Sequence, residues 1–198
     1  MKNYISILFL LLASYSFSQD FSYGIGGGPT VSTIAKVPFN NSTATQGELG
    51  FFIYGYGEYH FSEKMSIHGR LGIDDRVVRA VFPAENFLNL NYLSLMPSLK
   101  MDMGGEKPDL GAFFKPGLRV SYLLSAENID DNIDLEEGFS PLNLGFNFGI
   151  GADFAKHFSF EMLFDFGITS EVKDSNTKNR LNSVMFLAEI NIESLLKK

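Results

Sequence analysis

Hydrophobic and polar residues alternate with period two along most of the chain. From Glu48 to Phe61 one parity carries Leu49, Phe51, Ile53, Gly55, Gly57, Tyr59 and Phe61, while the other carries Glu48, Gly50, Phe52, Tyr54, Tyr56, Glu58 and His60. Successive residues of a strand point to opposite faces, so this spacing predicts a β-strand. Segment 65–76 sets Ile67, Gly69, Leu71 and Ile73 against Ser66, His68, Arg70, Gly72, Asp74 and Arg76. Segment 142–154 sets Leu142, Leu144, Phe146, Phe148, Ile150, Ala152 and Phe154 against Asn143, Gly145, Asn147, Gly149, Gly151 and Asp153, and segment 158–169 follows the same rule. Noisier alternation runs through 21–34, 89–102, 110–125 and 183–194, giving eight predicted strands.

The apolar face of these strands is long enough to cross a bilayer at a tilt of about 45°. Strands of soluble proteins are roughly half that length. Glycine, serine, asparagine and charged residues fill the opposite face, which a soluble barrel would turn outward. The predicted fold is therefore all-β, an eight-stranded antiparallel up-and-down transmembrane β-barrel with the apolar face toward lipid. Connections near 62–64, 103–109 and 155–157 are short, whereas 35–47, 77–88, 126–141 and 170–182 are longer and polar. That alternation predicts short periplasmic turns and longer extracellular loops, with both termini periplasmic because the strand number is even.

Residues 1–18 read as a signal peptide, with Lys2, the apolar run Ile5 to Ala13, and small residues Ser16 and Ser18 ahead of a cleavage site before Gln19. An apolar core this short cannot span roughly 30 Å of hydrocarbon as a helix. The barrel domain is then 19–198, exported to the outer membrane of a Gram-negative bacterium. A mean hydropathy of +0.03 agrees with this, because a lipid face and a polar lumen cancel in the average.

Composition narrows the function classes. There is no cysteine among the 198 residues, hence no disulfide and no thiol nucleophile. The formal charge of −7, without a basic cluster, excludes a nucleic-acid partner. The glycine runs Gly24–Gly28 and Gly145–Gly151 open no helix and so do not form phosphate loops; they relieve crowding in a narrow bore. The run Asp130–Asp134 starts like a calcium loop, but Leu135 and Pro141 occupy the positions that need Gly and Glu. No metal and no cofactor are expected. Phenylalanine and tyrosine supply the aromatic residues, and Phe61, Phe154 and Phe158 fall beside turns, where an interfacial girdle sits.

Gly26-Gly27-Gly28-Pro29, Tyr59-His60-Phe61 followed by Ser62-Glu63-Lys64-Met65, Asn91 to Pro97 and Gly145 to Phe154 together give the chain a pattern that resembles the PorT-like outer-membrane β-barrel family of Bacteroidota. The resemblance implies an outer-membrane barrel, in a family whose founding member is linked to the type IX protein secretion machinery. It assigns no functional residue.

An eight-stranded barrel is just wide enough to be filled by its own side chains. Parity places Arg70, Arg76, Lys100, Lys115 and Arg119 inward on strands 3 to 5, and Glu48, Glu58, Asp153, Glu161, Asp165 and Glu189 inward on strands 2, 6, 7 and 8. With His68 these residues form the expected lumen charge network, a salt-bridged plug. With Phe61 opposite Met65, Glu58 faces His68 and Ser66 faces His60, a triad on paper whose plainer reading is a Glu–His ion pair. The preferred function is a non-enzymatic outer-membrane protein, structural or accessory to a surface or secretion complex, in contact with outer-membrane lipids and with a protein partner. The alternative is a small-ligand or lipid-binding barrel, including a lipid-modifying enzyme.

Overall fold

The computed structural model describes residues 21–37, 46–80, 86–104, 111–129, 133–154, 157–173 and 178–196. The expected signal peptide, residues 1–18, and the Asp130–Asn132 part of the calcium-loop-like run lie outside the described residues. Eight long strands are arranged in chain order: β1 (Phe21–Val37), β2 (Gln46–Ser62), β3 (Met65–Ala80), β4 (Asn86–Asp102), β5 (Gly111–Asn128), β6 (Leu142–Phe154), β7 (Phe158–Gly167) and β8 (Lys178–Asn191). Each pairs antiparallel with its neighbours, and β1 pairs with β8 from Gly24↔Asn191 to Val37↔Lys178, which closes the sheet. A two-residue segment, Ile133–Asp134, extends the edge of β5. No described helix is long and apolar enough to cross a membrane.

Sidedness follows the alternation. Phe146 and Phe166 are 42% and 45% exposed, whereas Asn147 and Asp165 between them on the opposite face are buried. Phe148 stacks on Phe164 at 5.1 Å on the outer surface, across the β6–β7 pair. Phe61, Phe154 and Phe158 are exposed beside the short turns, as an interfacial girdle requires. The interior is not purely polar. Phe52, Tyr54, Tyr56, Met96, Leu163, Met185 and Leu187 form an apolar cluster inside the barrel.

Strand ends depart from the sequence reading at the long-loop end. β3 continues to Ala80 and β4 begins at Asn86, so the connection there is 81–85 and not 77–88. The reason is packing: Val78, Leu90, Tyr92, Leu123, Ala126, Phe139 and Leu181 form a second buried cluster that caps the lumen. Ordering this cap lengthens the ladders beyond the lipid-facing belt. At the other end the last strand stops at Asn191 and not at 194, and the short helix α1 (Ile192–Leu196) follows.

Two connections close over the cap. Phe139 bridges Val172, the Ser140 amide donates to the Glu171 carbonyl at 2.7 Å, and the Lys173 amide donates to the Gly138 carbonyl at 3.0 Å. The Glu171 side chain is fully buried and accepts from Tyr92 Oη at 2.9 Å and Asn143 Nδ2 at 2.6 Å. Burial raises its pKa above the ordinary carboxylate range, with the Arg119 charge acting the other way.

Two outcomes are expected. Arginine at Phe164, midway along the lipid face of β7, costs about 2–4 kcal/mol in urea titrations of folding into vesicles, against about 0–1 kcal/mol at Phe158 beside the turn. For the cap, the folded state keeps the Glu171 proton that the unfolded chain has released, so this group's contribution to stability falls as pH rises from the ordinary carboxylate value through the raised one. Amide exchange at Ser140 and Lys173, corrected for intrinsic rates, shows greater protection at the low end of that window, and Glu171→Gln removes the pH dependence.

Candidate functional site

Inward-facing charges meet across the bore because strands β3 to β5 stand opposite β7 and β8. Near the short-turn end, Lys100 Nζ lies 2.8 Å from Asp153 Oδ2 and 3.6 Å from Glu58 Oε1, and Ser66 Oγ donates to Glu58. One level further in, Arg70 pairs with Glu161 and, at 2.8 Å, with Glu189. Lys115 Nζ donates to Glu161 Oε2 at 2.9 Å, and Tyr54 Oη donates to Glu189 Oε1 at 3.0 Å. Arg70 also lies 5.2 Å from the centre of the Tyr54 ring, which joins the ionic level to the aromatic one. Towards the cap, Arg76 contacts Asp74 Oδ2 at 2.6 Å and Asp165 Oδ2 at 3.0 Å, and Arg119 Nε lies 2.8 Å from Asp165 Oδ2. The Arg119–Asp165 contact is Coulombic; its N–H direction does not make it a hydrogen bond.

Two inward glycines of β6 create the room for these groups. A Cβ at Gly149 would overlap the Glu161 carboxylate, and one at Gly145 would sit 2.9 Å from both Arg119 Nη2 and Asp165 Oδ1. The glycine run that resembles a phosphate loop in sequence therefore makes space for buried ion pairs.

Glu48 differs from its expected place. It lies opposite Ser32 at the long-loop rim, half-buried, and joins no ion pair among the described residues. Parity alone therefore does not bring it to a cation. Two acids missing from the sequence reading take part instead. Asp74 shares a strand face with Arg76 two residues on and is fully buried. The i, i+2 spacing was a usable signal for that pair, whereas nothing in sequence points Glu171, in a loop, into the lumen.

The triad on paper does not assemble. Glu58 pairs with His68 and His60 with Ser66 in the β2–β3 ladder, but a bulge puts Ser62, not Phe61, opposite Met65. The buried His68 stacks on Tyr56 at 4.9 Å, and its Nε2 approaches Glu189 at 3.5 Å. The Ser66 hydroxyl donates to Glu58 Oε1, the oxygen that also lies 3.7 Å from His60 Nε2, so its proton goes to the carboxylate and not to an imidazole. A second serine–histidine pair, Ser194 Oγ to His157 Nδ1 at 2.7 Å, also lacks the polarity of a nucleophile and its base. Ser194 donates its proton to the Asn191 carbonyl at 2.9 Å, so the ring nitrogen is the donor to serine. Among the described residues no group of three or more His, Asp or Glu side chains is placed to hold a metal ion.

At the short-turn end the bore opens into a polar vestibule lined by Ser22, Glu58, His60, Lys100, Asp153 and Ser159, with about 40 Å³ of free volume. That is room for a few water molecules, too little for a lipid or a sugar.

Known structures share this architecture. Ail, the attachment invasion locus protein of Yersinia pestis, matches at 12% identity and a TM-score of 0.50 over 88% of this chain and 100% of its own. Neisserial surface protein A matches at 12% identity and a TM-score of 0.54 over the same shares of the two chains. Identity at this level speaks to the fold alone. No curated protein matches by sequence. Residues 17–173, most of the chain, match the family described as outer membrane protein beta-barrel domain, and with a closed sheet that turns its apolar face outward this chain belongs to that family, integral to the outer membrane of a Gram-negative bacterium.

Proposed function

We propose that this protein is a non-enzymatic outer-membrane barrel whose lumen is plugged by its own ion pairs and which works through its surfaces, as a structural or accessory component of a surface or secretion complex. The observation that carries this reading is the pairing of Arg70 with Glu161 and Glu189, and of Arg76 with Asp74 and Asp165, across the bore at two successive levels. Fully buried arginines at both levels occupy the space that an ion would need. The capped long-loop end and the small vestibule at the other end add to it. The names of the two similar barrels, an attachment protein and a surface protein, favour a role at the cell surface.

The spacing of glycines and aromatics that resembles PorT-like barrels supports an origin in Bacteroidota and a partner in the type IX secretion machinery. The even strand count and the leader-like residues 1–18 support periplasmic termini, which assigns the connections 38–45, 81–85, 129–141 and 168–177 to the outside. A lipid-modifying activity is the weaker reading, because neither serine–histidine pair has a base placed to take the hydroxyl proton.

In planar bilayers the purified protein passes no steady current; a large, stable single-channel conductance contradicts the plug. Glu161→Gln removes the closer of the two carboxylates that Arg70 and Lys115 share, and it lowers folding stability in lipid by about 3–5 kcal/mol, read by urea titration. A loss below about 1 kcal/mol would mean that the pairing fills space without holding the lumen together.

A further inference from the structure

The β1–β8 seam is incomplete at the short-turn end. Pairing stops at Gly24↔Asn191, so Phe21, Ser22 and Tyr23 of β1 continue without β8 beside them. There α1 takes over, packed against β1. It is tied to the β6–β7 turn by the Ser194–His157 contact at 2.7 Å and by the Asn191 amide, which donates to the His157 carbonyl at 2.9 Å. Ser194 caps the change of direction, its amide donating to Asn191 Oδ1 at 2.9 Å. The helix is therefore fixed to the barrel on one side, and its other side is apolar and uncovered: Leu195 is 51% and Leu196 70% exposed.

Position and charge select what covers those leucines. The outer face of β8 leading into α1 carries Phe186, Ala188 and Ile190, all exposed on the lipid-facing surface. The neighbouring start of β1 and end of β2 expose Phe21, Tyr23 and Phe61 at the same end. An apolar pair that continues this belt at the level of an aromatic girdle meets the headgroup and acyl boundary of a bilayer. Lys197 and Lys198 follow in sequence, the charge that suits anionic headgroups and the side chains best able to bury their stems while the amines stay in water.

We infer that α1 is a membrane-interface clasp: Leu195 and Leu196 insert into the acyl boundary of an anionic phospholipid leaflet beside the β1–β8 seam. The clasp rests on the lipid-facing reading of the barrel and adds a specific lipid contact to it. It also places an anchor where the closing pair of strands runs out of hydrogen bonds.

The chain contains no tryptophan, so a single introduced indole reports without background. The test uses the full barrel folded into vesicles of anionic phospholipid brominated at shallow or deep acyl positions, with Leu196→Trp as the probe and Phe186→Trp as a control on the barrel wall. The expected result for Leu196→Trp is blue-shifted emission, lowered about twofold by shallow bromines and less by deep ones, as suits insertion to 5–10 Å. Replacing the anionic lipid by a zwitterionic one weakens that quenching. Emission as in water, untouched by either bromolipid, overturns the clasp, and so does quenching indifferent to lipid charge. If Phe186→Trp is also unquenched, the lipid-facing reading of the barrel falls as well; if it alone is quenched, only the clasp falls. Leu195→Trp stands in should Leu196→Trp fail to fold, as judged by heat-modifiable mobility on a detergent gel.

Discussion

Inside hydrocarbon every backbone N–H and C=O needs a partner within the protein, and a sheet meets that demand only by closing on itself. The β1–β8 ladder is that closure, and the rest of the molecule follows from it. Eight strands fix a bore of side-chain width. The outer face must then be apolar over the thickness of the bilayer, and the inner face must fill a narrow channel without stranding charge. Both requirements are imposed by alternation along the same strands, which is why the two faces change character together from one residue to the next.

Filling the bore with charges is costly unless they meet. Removing a carboxylate or a guanidinium from water costs several kcal/mol, and only close pairing with further hydrogen bonds offsets it. The lumen follows that rule in layers. Arg70 is shared between two glutamates, Arg76 between two aspartates, and hydroxyls of Ser94, Ser121 and Ser183 fill in around them. Between the ionic layers sits an apolar one, with Phe52 against Tyr54 at 4.6 Å and Met96, Leu163 and Met185 beside them. Polar and apolar layers together give a packed interior with a single register, because a slip of one residue would put the lumen charges into lipid. The ends are finished differently: a hydrophobic cap held by two loops at one, a polar vestibule at the other.

Much of this was written plainly in the sequence, and the exceptions have physical causes. Segment 142–154 has perfect alternation, and its strand boundaries and sidedness follow residue by residue. Alternation fails where the inner face stops being polar. Val78 looks like a loop residue beside its polar neighbours, yet it extends β3 because it caps the lumen with Leu90 of β4. Parity also identifies which charges point inward, but partners depend on the height of each strand and on side-chain length. Lys100 meets Asp153 from the adjoining half of the barrel, whereas Glu48, with the right parity, stops at the rim. Asp74 was legible from its spacing to Arg76. Glu171 was not, because loop conformation carries no period. The turn from β8 into α1 was hidden for a related reason: Ile192, Leu195 and Leu196 continue an apolar run that fits a strand as well as a helix.

Sidedness of the strands is the central claim, and accessibility to oxygen and to a water-soluble nickel complex measures it directly. The chain has no cysteine, so single spin-labelled cysteines can be placed at each position from Leu142 to Phe154 in the barrel folded into vesicles. Oxygen accessibility should alternate with period two, highest at Leu144, Phe146, Phe148 and Ile150 and low to both reagents at Asn143, Gly145, Asn147 and Gly149. Oxygen maxima on the asparagine and glycine positions, or nickel accessibility at the phenylalanines, would contradict the account.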